Sequence, residues 1–204
     1  MVLKFGEKRK ETKYIIIHHF GVEVSYFGNI KLEKQAVENA YSKHPEFFYH
    51  YVILSNGEII KKHPDDIVVY HANNNEINNT SIAICLFGSF NKREPTKLQL
   101  DVLIGLIKNL MSKYNIPPKN VLGHRDVGDS YTDCPGNVLY NMLPKIRLEL
   151  TPKDWKRDVL EWATNIGLIK SPQQHENLDT YFTKAEILAL LKNLMEVIKR
   201  NGLG

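Results

Sequence analysis

The sequence has few cysteines, modest numbers of glycines and prolines, and no long apolar run. Two cysteines, Cys85 and Cys134, are too few for a disulfide framework, so each is better interpreted as a core residue or a metal ligand. With 12 glycines and 9 prolines in 204 residues, a collagen-like or low-complexity chain is excluded. No stretch approaches the ~18 apolar residues that a membrane span requires, and we predict no integral membrane segment.

The charge is nearly balanced outside the first residues. There are 27 Lys and Arg residues against 23 Asp and Glu, a net charge of +4, and the cations of residues 4–13 supply most of that excess. No stripe of basic residues with interleaved aromatics follows, so a nucleic acid is not an expected partner. An alternative class, in which this protein is a nucleic-acid-binding or regulatory partner protein, is supported only by the basic N-terminal segment.

The pattern of apolar residues alternates between strand and helix through about residue 147. Hydrophobic residues at 43% and charged residues at 25% are typical of a globular core. Interspersed strands and helices predict an α/β domain, residues 1–147, with a mixed central β-sheet flanked by helices. The predicted strands cover residues 14–20, 47–54, 58–61, 67–70, 81–87 and a short segment from 121, and the predicted helices cover 30–41, 95–114 and about 137–142.

Residues 151–204 form a purely helical pattern and predict a small all-helical C-terminal domain. Apolar residues that include Trp155 and Trp162 recur at helical intervals, and Thr183 to Glu186 fits a capping box that opens a second helix. About 54 residues bury little apolar surface alone. We expect either a cell-wall-binding or dimerisation unit, with a homodimer formed through these helices, or an extension that packs the two tryptophans into a small core.

Three histidines and a cysteine form the clearest chemical pattern. His18 and His19 end a predicted strand, His124 follows another, and Cys134 comes ten residues later. Imidazole and thiolate suit zinc, and three protein ligands leave a fourth position for water. Because successive strand residues face opposite sides, only one of His18 and His19 can point at the same metal.

Six segments of the chain, spread over about residues 13–145, carry a family resemblance. The segments are Ile-Ile-Ile-His18-His, Tyr49-His-Tyr-Val-Ile-Leu-Ser-Asn-Gly57, His71-Ala-Asn73, Ser81-Ile-Ala-Ile-Cys-Leu-Phe-Gly88, Gly123-His-Arg-Asp126 and Thr132-Asp-Cys-Pro-Gly136. In sequence and in order they resemble the zinc-dependent N-acetylmuramoyl-L-alanine amidases of the type 2 class, which include phage endolysins and peptidoglycan recognition proteins.

The resemblance implies roles for seven residues. Zinc (Zn2+) would be held by His18, His124 and Cys134, with Tyr49 facing the metal from a strand and Thr132 near the scissile carbonyl. The metal would polarise that carbonyl and lower the pKa of its water from ~16 toward ~7. His71 and Asn73 would line the substrate cleft, the alternative being that they are ordinary loop residues.

Two departures from the family pattern matter. Some branches carry a catalytic Glu where this chain has Cys85, so we assign no Glu base and interpret Cys85 as a core residue. The loop from His124 to Cys134, which carries Thr132, is also a couple of residues longer than in several relatives.

The resemblance therefore predicts an enzyme that cuts the bond between N-acetylmuramic acid and L-alanine in bacterial peptidoglycan. The first residues carry Lys and Glu where a secretory signal would be apolar, so we expect synthesis in the host cytoplasm without a signal peptide and action on the cell wall, as for a phage endolysin. The alternative is a non-catalytic peptidoglycan-binding recognition module.

Overall fold

The chain divides into two units, Met1–Thr151 and Pro152–Gly204. The structure is a computed structural model that describes residues 4–21, 25–46, 48–128, 131–151, 162–165, 167 and 184–200. None of the helices in these ranges is both long enough and apolar enough to cross a membrane.

A five-stranded sheet forms the centre of the first unit, in the order β3-β2-β4-β1-β5. β1 pairs in parallel with β4 and β5, and β4 pairs in parallel with β2. Only β3 runs antiparallel, as the partner of β2 in the predicted hairpin. The strands are β1 (Tyr14–His19), β2 (Tyr51–Ile53), β3 (Ile59–Lys61), β4 (Ser81–Leu86) and β5 (Val121–Gly123).

Helices cover both faces of the sheet, which confirms the predicted α/β class. One face packs against α3 and α4 through a cluster that contains Ile15, Leu103 and Leu139, whereas the other packs against α1 through Val37 and Val52. The helices of this unit are α1 (Ile30–Lys43), α2 (Asn75–Asn78), α3 (Lys97–Tyr114) and α4 (Asn137–Leu150), with short 3-10 turns at Pro118–Asn120 and His124–Asp126.

Three predicted elements differ from the structure, and one of them, the strand predicted at 47–54, shortens to β2 (Tyr51–Ile53). The segment 67–70 is not a regular strand; Ile67 forms only an isolated bridge with Lys8, because the segment lies against the N-terminal arm outside the five-stranded sheet. Helix α4 runs to Leu150, well past residue 142 and through Pro144. Burial of its apolar stripe offsets the backbone hydrogen bond that proline removes.

The C-terminal unit contains the predicted second helix, α5 (Lys184–Arg200). On this helix Leu188 and Met195 are exposed, while Val197 is buried. Trp162, which one interpretation placed in a small core, is 54% exposed. Trp155 and the start of the predicted capping box lie outside the described residues.

Candidate metal centre

Two parallel strands bring the predicted ligands to one edge of the sheet. β1 and β5 are neighbours, so their carboxyl ends meet at the same edge. His18 is the penultimate residue of β1, and His124 directly follows β5. Cys134 comes from the loop before α4, and the donor atoms of His18, His124 and Cys134 all lie within 4.8 Å of one another.

The two adjacent histidines of β1 face opposite sides, as strand alternation requires. The Nδ1 atom of His18 lies 3.5 Å from Cys134 Sγ, and its Nε2 atom lies 3.0 Å from Nδ1 of His71. The His19 ring instead accepts a hydrogen bond from the Phe90 N–H, at 3.4 Å. His19 still reaches the cluster through its main chain, because its N–H donates to Cys134 Sγ at 3.4 Å.

Burial keeps these donors neutral when no cation is present. It lowers the pKa of His18 well below its usual value and lowers the pKa of His124, which a hydrogen bond with the Ala72 backbone partly opposes. Burial raises the pKa of Cys134 to about 12, against the effect of the His19 N–H. A thiolate at Cys134 therefore requires a nearby cation, and two imidazoles with one thiolate are a donor set typical of zinc. His18, His124 and Cys134 could hold such an ion.

The loop that carries Cys134 is fixed by side chains around it. Arg125 donates to the carbonyl oxygen of Asp133 and, at 3.0 Å, to Oδ1 of Asn137. Gly136 has a φ of +94°, and a Cβ there would lie 2.4 Å from the Phe90 carbonyl carbon, so the backbone passes too close to Phe90 for a side chain. Arg125 therefore holds the loop in place through the residues on both sides of Cys134, a role that the sequence alone does not reveal.

Tyr49 lies against the cluster but outside the strand where it was predicted. β2 begins two residues later, at Tyr51. The Tyr49 ring centroid is 4.8 Å from that of His18, and its hydroxyl is 3.5 Å from the His19 carbonyl oxygen. Burial, with smaller effects of Cys85 and Cys134, raises the pKa of Tyr49 well above its usual value. Tyr49 is therefore a neutral phenol that can donate a hydrogen bond.

Beside the cluster is a cavity of about 610 Å³. Four of its lining residues, Tyr49, His71, Asn73 and His124, were predicted to belong to the site. His71 is 9% exposed, and both of its ring nitrogens have side-chain partners. The remaining lining residues were not predicted, since aromatic and amide side chains are common in loops; they are His44, Phe48, Tyr70, Asn75 and Asn78.

Thr132 lines a separate pocket and is not among the residues that line this cavity. Its hydroxyl oxygen accepts the Cys134 N–H at 3.2 Å, which ties it to the ligand loop. The second pocket has a volume of about 450 Å³ and is lined by Thr132 together with Asn91, Arg125, Tyr131, Asp133 and Asn137. Residues 129–130 of the same loop lie outside the described residues.

Cys85 is fully buried and pairs in register with His18 on the neighbouring strand. It packs with Val37, Val52 and Phe87 in the cluster that faces α1. This is the position expected of a core residue.

The fold and the cluster together define an α/β protein with a histidine and cysteine centre at the edge of its sheet. Residues 8–137 match the family described as N-acetylmuramoyl-L-alanine amidase, and the chain belongs to that family, as predicted. The family gives the chain an amidase or peptidoglycan-binding function.

Solved structures and a curated relative agree with this assignment. The endolysin N-acetylmuramoyl-L-alanine amidase LysCS from Clostridium intestinale URNW is 28% identical with a TM-score of 0.52, over 70% of this chain and 86% of that one. Drosophila PGRP-LB is 26% identical with a TM-score of 0.55, over 67% of this chain and 82% of that one. Peptidoglycan-recognition protein SC2 of Drosophila melanogaster is 28% identical over 139 residues, which are 63% of this chain and 70% of that protein.

Proposed function

We propose that this protein is a zinc-dependent N-acetylmuramoyl-L-alanine amidase. It hydrolyses the amide between the lactyl group of N-acetylmuramic acid and the L-alanine of the peptidoglycan stem. The observation that carries the proposal is the convergence of the His18, His124 and Cys134 donor atoms within 4.8 Å beside a cavity that His124 itself lines.

His18, His124 and Cys134 would hold the metal. When bound, zinc would polarise the scissile carbonyl and lower the pKa of a water molecule toward about 7. The N–H of His19 stabilises the Cys134 thiolate from the side of β1. One thiolate leaves the centre with a net positive charge, and this favours negative charge that develops on the substrate oxygen.

Tyr49 is the residue we assign to stabilise that developing charge. Its ring lies beside His18 and lines the cavity, and burial keeps its hydroxyl protonated. A buried phenol can donate a hydrogen bond to an oxyanion with little reorganisation. Tyr49 is therefore a donor in this mechanism and not a general base.

Thr132 and Asn73 have supporting roles in the proposal. The Thr132 oxygen accepts the Cys134 N–H, and its own hydroxyl proton remains available to a substrate carbonyl that reaches the ligand loop. Asn73 is exposed on the wall of the cavity, where its amide suits the polar peptide stem.

We also propose that the protein acts on the bacterial cell wall as a lytic enzyme of the phage endolysin type, made in the host cytoplasm. The likeness to the Clostridium endolysin amidase supports this role. The helical C-terminal unit would then bind the wall or form a homodimer.

The test is mass spectrometry of products from purified peptidoglycan sacculi. The protein is assayed as prepared, after removal of metal with a chelator, and after zinc is restored. Free stem peptides that begin at L-alanine, lost with the chelator and regained with zinc, are the expected result. Sacculi that bind the protein but stay intact in all three conditions would contradict catalysis and favour a recognition module.

A further inference from the structure

We infer that His71 and Ser81 are positioning residues that fix the tautomer and ring orientation of His18. The inference rests on the proposed zinc function and assigns His71 a task other than contact with the substrate. Four groups form a continuous hydrogen-bonded chain: the Ile77 carbonyl, the Ser81 hydroxyl, the His71 ring and the His18 ring.

The donor and acceptor roles in this hydrogen-bonded series are fixed at its Ile77 end. A carbonyl oxygen can only accept a hydrogen bond, so the Ser81 hydroxyl must donate to the Ile77 carbonyl oxygen, 2.5 Å away. A serine has one hydroxyl proton. Ser81 Oγ must therefore accept in its other contact, and the donor is the Nε2–H of His71 at 2.9 Å.

The same logic passes through His71 to His18. A neutral imidazole carries one proton, so His71 with a proton on Nε2 presents a lone pair at Nδ1. That lone pair accepts from His18 Nε2–H across 3.0 Å. His18 is then unprotonated at Nδ1, the atom that lies 3.5 Å from Cys134 Sγ. The opposite tautomer would set two lone pairs against each other and turn an N–H toward the sulfur.

The segment that carries His71 is itself anchored. Oδ1 of Asn78 accepts the N–H groups of His71 and Ala72 at 3.1 and 3.0 Å, and Asn78 is 4% exposed. The backbone of Ala72 hydrogen-bonds the ring of His124. His71 thus contacts His18 through its ring, and the next residue, Ala72, contacts His124 through its main chain.

Residues that orient a metal-bound histidine in this way typically contribute roughly 10- to 100-fold to metal affinity. We expect His71→Ala to weaken zinc binding within that range. Ser81→Ala leaves the His71–His18 contact in place but removes its anchor, so the loss should be at the lower end of that range, about 10-fold or less. His71→Asn keeps an acceptor near the position of Nδ1 and should recover most of the affinity.

The experiment has two readouts that require no peptidoglycan. Long-range proton–nitrogen NMR of the metal-free protein reports which ring nitrogen of His18 is protonated. Zinc affinity is measured by chelator competition for the native protein and for His71→Ala, His71→Asn and Ser81→Ala. Glu76→Gln, an exposed change in the nearby helix α2, is the matched control and should keep native affinity.

The expected result is His18 protonated at Nε2, weaker zinc binding in His71→Ala, and recovery in His71→Asn. Protonation of His18 at Nδ1, or native zinc affinity in His71→Ala, would overturn the inference. If His71→Ala does not fold, Ser81→Ala and the tautomer of the native protein decide. If the protein shows the expected tautomer and affinities but leaves sacculi intact, the proposed catalysis is refuted and the inference about His71 stands. If the protein does not bind zinc, the tautomer of His18 still tests the inference.

Discussion

His18 and His50 are both buried histidines of the same sheet region, yet their surroundings differ. Burial lowers the pKa of each, to about 3 for His50. His50 Nδ1 accepts the Ala83 N–H at 3.0 Å, and its Nε2 lies 3.1 Å from the Ile67 carbonyl oxygen, so each nitrogen is bonded to a backbone group. The Nη1 atom of Arg9 also lies 3.1 Å from Nε2. His18 instead turns one nitrogen toward Cys134 and the other toward His71.

Burial and a lowered pKa therefore do not by themselves identify a functional histidine. A histidine whose nitrogens are both bonded to the main chain stabilises the fold. A histidine whose lone pair converges with other nitrogen and sulfur donors can serve a metal. The two regions should therefore respond differently to substitution, one in metal binding and activity and the other in stability.

The largest expected effect is on zinc binding and activity, and it should follow substitution of Cys134 but not of Cys85. Cys134→Ser should lose zinc and reduce amidase activity by roughly 10³-fold or more, about 4 kcal/mol of transition-state stabilisation, because the sulfur ligand is removed. Zinc content by elemental analysis and product release from sacculi measure this. Cys85→Ala is the matched control, which should keep zinc because Cys85 is a core residue. Full metal and full rate in Cys134→Ser would refute the assignment.

Tyr49→Phe should separate catalysis from metal binding. Loss of one oxyanion donor costs about 10²-fold or more in turnover, whereas the ring that packs against His18 is kept and zinc content should not change. Turnover on sacculi and zinc content are compared with those of the native protein. A variant with native turnover would remove Tyr49 from the mechanism.

His50→Ala should lower the free energy of unfolding without changing metal binding. It leaves the buried N–H of Ala83 without its acceptor, and an unsatisfied buried group costs about 1–3 kcal/mol in the free energy of unfolding. His50→Asn keeps an acceptor near Nδ1 and should lose less. Urea unfolding measures both variants, and zinc stoichiometry should remain native. Loss of zinc from a folded His50→Ala protein would contradict the distinction between the two regions.

The last expected effect, small for each pH unit, concerns acid. The pKa of His50 falls to about 3 in the folded protein from 6.5, chiefly through burial and then through the charge of Arg9. The unfolded chain thus binds more protons at this site than the folded protein does. The contribution of His50 to the free energy of unfolding is therefore complete above pH 6.5 and is lost as the pH falls toward 3. One histidine gives a slope of at most about 1.4 kcal/mol per pH unit. The slope should be shallower in His50→Asn than in the native protein, and equal slopes would exclude this role.

Much of the fold could be predicted because its strands and helices have clear apolar periods. β1, β4 and α3 came from unbroken patterns, and the edge where His18 and His124 meet follows from parallel strand ends. The irregular pairing of 67–70 could not be predicted, since its backbone partners are divided between the N-terminal arm, which bonds Val68, and residues 46 and 48, which bond Tyr70. The extension of α4 through Pro144 was also missed, because only tertiary burial outweighs the effect of that proline.

The residues around the centre were harder to predict than its donors. Imidazole and thiolate are rare enough in sequence to stand out, whereas Ser81 and Asn78 are ordinary polar residues whose roles depend on contacts with His71. Thr132 came from the family resemblance, and only the structure shows its hydroxyl tied to the Cys134 N–H. Hydrogen bonds across distant loops carry no local pattern that a sequence reveals.

His19 contacts the sulfur of Cys134 with its peptide N–H, while its ring lies on the opposite face. Every amino acid except proline supplies that N–H. The second position of the histidine pair is therefore open to redesign, as any side chain that fills the space beside Phe90 leaves the contact to sulfur intact. The first position has no such freedom, since its contribution comes from the imidazole alone.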